Sequence, residues 1–204
     1  MAAAEKLDLK KALKPLYHAK AGTPAWADVP PLSYLMIDGI GTPESEGFGQ
    51  AVEALYSLAY PLKFAYKKSE GRDWTVMPLE GLWWADDPEV FARQERDRWQ
   101  WTLMILQPDF VEAGRVDECR EAALKKKELP RLSQVRLETL SEGRCAQVLH
   151  VGPYAEEGET IAGLHQFIAE AGHALSGKHH EVYLSDPRRT APEKLKTILR
   201  QPVA

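Results

Sequence analysis

A repeated order of chain punctuation restricts the possible folds most. A strand-like run over residues 32 to 38 ends at Gly39 and passes into a helical stretch in which Val52, Leu55, Ala59, Leu62 and Tyr66 return to one face. Extended segments on either side of Pro78 lead to Asp87-Pro88, and a strand over residues 99 to 107 closes on Gln107-Pro108. The second half runs the same way. A strand over 145 to 151 ends at Gly152, a helix follows with Ile161, Leu164, Phe167, Ile168 and Ala171 on one side, a strand ends at Asp186-Pro187, and a final extended run contains Gln201-Pro202. This shared order predicts an α+β fold of tandem βαββ repeats, related by a pseudo-two-fold, with antiparallel sheets and a central ligand cleft. Residues 1 to 30 form an N-terminal arm and 31 to 204 the domain. Its halves lie at about 31–108 and 143–204, linked by a helix and strand over 109–142.

Several local expectations follow. Pro61 should kink or split the first helix. Polar residues up to Arg98 form a surface connection, and the helix after Pro108-Asp109 has a basic exit at Lys125 to Lys127. Ser141-Glu142-Gly143-Arg144 reads as a hairpin turn between strands 135–140 and 145–151.

The stretch from Gly177 to Thr190 carries the best candidate site. Strand alternation puts Glu181 and Tyr183 on one face and His180, Val182 and Leu184 on the other. Asp186-Pro187 then ends the ladder. Aligning the two Asp-Pro pairs without a gap sets Trp84 against Tyr183 and Leu82 against Glu181. Structural readings stand beside these: Glu181 salt-bridged to Arg188 or Arg189, Trp99 and Trp101 as core, His150 as a hydrogen-bonded strand residue, and Glu80 as acceptor for a neighbouring lysine.

Charge and composition exclude other classes. A net charge of -4 and a pI near 5.9 give no electrostatic footprint for nucleic acid. No apolar run reaches the length of a membrane span, and Lys6, Lys10, Lys11 and Lys14 interrupt any secretory core, so a cytoplasmic protein is expected. Cys119 and Cys145 are too scattered for a framework and suit a reducing compartment. The histidines lack ligand spacing, so neither metal nor cofactor is expected.

Five segments, residues 29 to 39, 77 to 84, 101 to 110, 150 to 154 and 179 to 190, together resemble the GyrI-like small-molecule-binding domains. The resemblance implies tandem βαββ modules around a ligand cleft. Relatives that regulate transcription carry a helix-turn-helix reader, for which this arm is too short and the chain too acidic. The chain is most similar to the stand-alone branch, which resembles hydrolases of cyclopropane-bearing cyclohexadienones. That likeness implies a pocket acid at Glu181, with Tyr183, Trp84 and Tyr154 as pocket aromatics. Glu181 would deprotonate water, and Tyr183, Tyr154 or His150 would donate to the developing oxyanion, each contributing about 2–4 kcal/mol in a dry site. Trp84 and Trp101 would sandwich a flat, hydrophobic or aromatic substrate. The rival readings are a non-catalytic binder of hydrophobic or cationic compounds and a domain that contacts a protein such as gyrase.

Overall fold

The computed structural model describes residues 6–87 and 95–204, and the strand, helix, strand, strand order appears in it twice. The first run is β2 (Leu32–Ile40), α3 (Glu46–Glu70), β3 (Glu80–Trp84) and β4 (Gln100–Leu106). The second is β6 (Gly143–Val151), α5 (Glu157–Glu170), β7 (His179–Tyr183) and β8 (Lys196–Pro202). Outside the repeat stand the short helices α1 (Leu9–Ala12) and α2 (Lys14–Tyr17), strand β1 (Ala25–Val29), helix α4 (Ala113–Leu124) and strand β5 (Arg136–Leu140). Residues 88–94 of the expected surface connection, with Pro88 of the first Asp-Pro pair, lie outside the described residues, and its end forms a helical turn at Arg96–Arg98.

The Gln-Pro pairs show why the repeat is written as it is. Gln107 is buried and its amide donates to the carbonyls of Ile105 and Leu106; Gln201 is buried and donates to those of Ser176 and Pro202. Each glutamine supplies donors where a following proline cannot.

The chain divides into two compact units. In the first, β2 pairs antiparallel with β4 on one side and β5 on the other. Helix α3 packs on β2 and β4, and α4 packs on α3. The start of α3 is set by Ser45, whose hydroxyl accepts from the Phe48 N–H at 3.2 Å, and its end by Gly71 at φ 71°. The helix is not split at Pro61 but continues through it as one element. Pro61 is exposed, so the carbonyl left without an amide partner lies on the solvent side. Trp101 on β4 is fully buried. Its ring lies over Gly39, directly opposite on β2, where an added Cβ would stand 2.1 Å from the indole. Phe48 meets the ring edge-on at 5.2 Å and the Arg131 guanidinium lies 5.3 Å from it.

In the second unit β6 pairs with β1 and β8, β8 with β7, and β7 with residues Glu80 to Trp83 of β3, all antiparallel. Helix α5 covers one face, where Leu164 and Ile168 pack with Ala146, Val148 and Leu199. The segment around α2 covers the other. Strands β5 and β6 pair with different partners, so residues 141–144 are a crossover and not the expected hairpin turn. The arm also holds a strand, β1.

Candidate functional site

Pairing in the second unit fixes which side chains meet. Gly81 lies opposite Glu181, Trp83 opposite His179, and Thr197 opposite Tyr183. Paired residues share a face, so Trp83, His179, Glu181, Tyr183 and Thr197 all project toward the face that carries α5. Glu80, Leu82, His180, Val182 and Arg200 project to the other.

On the α5 face a row of strand residues opposes a row of helix residues. Glu157, Ile161 and His165 recur every four residues along α5, about 12 Å from end to end. Tyr183, Glu181 and His179 recur every two along β7, over about 13 Å. The rows match in length, and Glu157 stands by Glu181 and Tyr183, with His165 by His179.

The electrostatics follow from this packing. Burial, reinforced by the charge of Glu181, pushes the Glu157 carboxyl up to about 8, with the nearby Thr197 hydroxyl acting weakly the other way. Burial also raises the Tyr183 phenol well above its usual range, and Glu181 adds to the effect. The Trp83 indole N–H donates to the Tyr183 oxygen at 3.0 Å and partly opposes it. Burial and the charges of Glu157 and Glu181 push Tyr154 up to about 12. The Tyr154 ring stands edge-on to Tyr183 at 5.8 Å. Near neutral pH the site therefore offers a protonated carboxyl and two protonated phenols beside Glu181.

The opposite face of β7 carries a closed network of charges. His180 is fully buried, with Nε2 2.9 Å from the Glu80 carboxylate and Nδ1 3.0 Å from that of Glu142. Arg200, 1% exposed, reaches Glu142 at 3.5 Å and donates to the Leu16 carbonyl at 2.7 Å. The Tyr17 hydroxyl donates to Glu80 at 2.6 Å. Burial opposes the imidazolium, but the Glu142 charge and the two carboxylate bonds overcome it and raise the His180 pKa. Burial likewise opposes the Glu142 charge, but His180 and Arg200 hold its carboxyl below the usual range.

The sequence-predicted residues are placed unequally. Glu181, Tyr183 and Tyr154 are brought together. The ungapped alignment misplaced the tryptophans: Trp83 bonds Tyr183, while Trp84 takes the opposite face of β3 by alternation. Trp101 is enclosed in the core of the first unit rather than open to a flat ligand, because Gly39 admits its ring to the sheet. His150 Nε2–H donates to the Pro153 carbonyl at 3.3 Å and Nδ1 accepts from Thr160 at 2.9 Å, so both nitrogens brace the turn into α5. His150 also walls a separate concavity of about 640 Å³ beside Ala21, Gly22 and Glu159. Arg188 and Arg189 pair with Asp186, and the Glu181 oxygen has His179 as its ion-pair neighbour at 3.4 Å. Glu80 serves Tyr17 and His180, not a lysine.

Sequence reasoning missed Glu157, Thr197 and the buried network. Glu157 has one usable signal: it lies four residues before Ile161 on the apolar face of α5. Nothing local marks Glu142 or Arg200, whose partners are 38 and 58 residues apart.

The α5-facing side of β7 thus sets an acid beside phenols and an indole within an α+β repeat. The chain belongs to the GyrI-like small molecule binding domain family, whose model matches residues 24–204. An uncharacterized conserved protein from Listeria innocua is 42% identical, with TM-score 0.91 over 98% of this chain and 100% of that one. A hydrolase from Listeria innocua is also 42% identical, with TM-score 0.86 over the same shares. The EcmrR C-terminal domain, at 13% identity, TM-score 0.59 and coverage of 89% and 97%, shares the fold. A comparison with curated proteins finds no match. Among the described residues no helix is long and apolar enough to cross a membrane.

Proposed function

We propose that this protein is a cytoplasmic detoxifying hydrolase that adds water to cyclopropane-bearing cyclohexadienones. The observation that carries the reading is the unequal carboxyl pair, Glu157 being pushed up to about 8 chiefly by its burial, with the charge of neighbouring Glu181 adding to it. Two carboxyls whose environments separate their protonation states can act as base and acid in one turnover. The Listeria innocua hydrolases, 42% and 41% identical, support a reaction of this general class.

The reaction needs one proton removed and one supplied. The water oxygen bonds to a cyclopropane carbon as the ring C–C bond breaks, and that electron pair passes into the dienone, which becomes aromatic. Glu181 takes the proton lost by water. Glu157 or Tyr183 gives a proton to the dienone oxygen, which becomes a phenol. Tyr154, Tyr183 and Trp83 offer ring surface to a flat substrate.

The test is incubation of the protein and its Glu181→Gln variant with a cyclopropyl-cyclohexadienone, read by mass spectrometry for gain of one water. Catalytic hydration by the wild type alone supports the reading. Saturable binding without hydration by either overturns it in favour of a sequestering protein.

A further inference from the structure

The histidines of this fold fall into two kinds. His150 and His180 have both ring nitrogens hydrogen-bonded, and His173 Nδ1 lies 3.2 Å from the Ala204 carbonyl. His179 has neither nitrogen hydrogen-bonded, although both are buried, and the buried Nε2 of His165 is also unpartnered. The 3.4 Å approach of His179 Nε2 to Glu181 is an ion-pair distance without hydrogen-bond geometry. Glu157 and Thr197, on the same α5-facing surface, already act on each other, so the unsatisfied groups there are the imidazole nitrogens. Buried polar groups are nearly always satisfied, so a concentration of unsatisfied ones along one seam marks a place where a ligand completes the bonding.

We infer that His179 and His165 form a polar subsite for a neutral carboxamide on the ligand, one strand step, about 7 Å, from Glu181. This rests on the reading of the α5–β7 face as the ligand site and not on the chemistry carried out there. Burial and the charge of neighbouring His179 lower the His165 pKa, so its ring is neutral at pH 7. A neutral imidazole has one donor and one acceptor nitrogen. The carbonyl of a carboxamide can accept from His179, which carries an N–H in either protonation state, while the carboxamide N–H donates to the acceptor nitrogen of His165; a carboxylate would offer acceptors alone and meet the Glu181 charge. The side chain of His179 is 18% exposed and His165 is part-exposed, so both rings reach the edge of the site and can turn toward a ligand.

The experiment titrates the full chain at pH 7 with biphenyl-4-carboxamide and with 4-isopropenylbiphenyl, its shape-matched hydrocarbon, by tryptophan fluorescence. The wild type is expected to favour the carboxamide by about 10-fold or more, because a site built to hydrogen-bond a group discriminates against its apolar analogue. His179→Phe and His165→Phe should each abolish most of that preference while hydrocarbon binding stays within about 2-fold. His165→Phe, on a part-exposed helix face, keeps the test valid if the strand variant folds poorly. Equal binding of the two probes by the wild type, or a preference that survives in a folded histidine variant, overturns this subsite alone. Failure of both probes to bind overturns the ligand-site reading with it. The hydration assay decides the chemistry separately.

Discussion

Replacing His180 by leucine removes the cation at the centre of the buried network and leaves its neighbours in place. Glu80 would keep the Tyr17 hydroxyl, and Glu142 would keep Arg200 at 3.5 Å. Neither carboxylate could recover water, since their side chains are 0% and 3% exposed. Breaking a buried pair from one side costs about 3–5 kcal/mol, because the remaining charge stays desolvated. At about 2–4 °C per kcal/mol for a chain of this size, the melting temperature should fall by roughly 6–20 °C. Adding Glu80→Gln should recover part of the loss by removing the stranded charge. The network also sets a pH window. The raised His180 pKa contributes stability that is full below its ordinary value of 6.5 and is lost as pH rises through the folded value. The lowered Glu142 pKa contributes stability present above 4.5 and lost as pH falls through the folded value. The contribution should therefore be greatest between about pH 4.5 and 6.5, and melting curves across pH should show a wild-type advantage over His180→Leu that peaks there. A loss under about 1 kcal/mol, or no gain in the double variant, would refute the view that imidazolium charge holds these carboxylates.

Two smaller perturbations test one position in each unit. Gly39→Ala places a methyl 2.1 Å from the Trp101 indole and should destabilise by about 1–3 kcal/mol in a denaturant titration, with a shift in tryptophan emission. Thr197→Val keeps the shape of a buried side chain but removes the hydroxyl that holds the Glu157 carboxyl down, so that carboxyl, followed by carbon NMR, should titrate above the wild-type value.

The repeat was legible because strand ends, turns and the 3.6-residue period are local properties. Gln107-Pro108 follows the end of β4 and Asp186-Pro187 that of β7, whereas Gln201-Pro202 stays in the ladder opposite Ala146 and Cys145, and β6, α5, β7 and β8 follow the expected order. Alternation within β7 was legible for the same reason: Glu181 with Tyr183 on one face and His180 with Val182 on the other. Register between strands was not. Nothing in residues 80–84 says that Trp83 lies opposite His179, because that depends on how β3 and β7 slide, and a slip of one residue exchanges the two tryptophans. Charged residues were misjudged in a consistent direction. Glu80 reads as the acceptor for a neighbouring lysine and Glu142 as part of a turn, and only long-range folding brings His180 and Arg200 to them.

The two faces of β7 also differ in how they answer to pH, and this separates stability from activity. Glu157 is raised from 4.5 to about 8, so the folded chain holds a proton that the unfolded chain releases. Stability is diminished by this group as pH climbs from about 4.5 toward 8, since the unfolded state ionises first. If Glu157 is the acid of the hydration, kcat/KM should fall as pH rises through about 8. Glu181→Gln removes the neighbouring charge but leaves burial, the larger cause, intact. In that variant the Glu157 carboxyl, followed by carbon NMR, should titrate below the wild-type value yet stay above 4.5. An unchanged titration would mean that Glu181 is not the partner holding the proton. A return all the way to 4.5 would mean that burial contributes nothing, and the matched rows of α5 and β7 would then be a solvated groove.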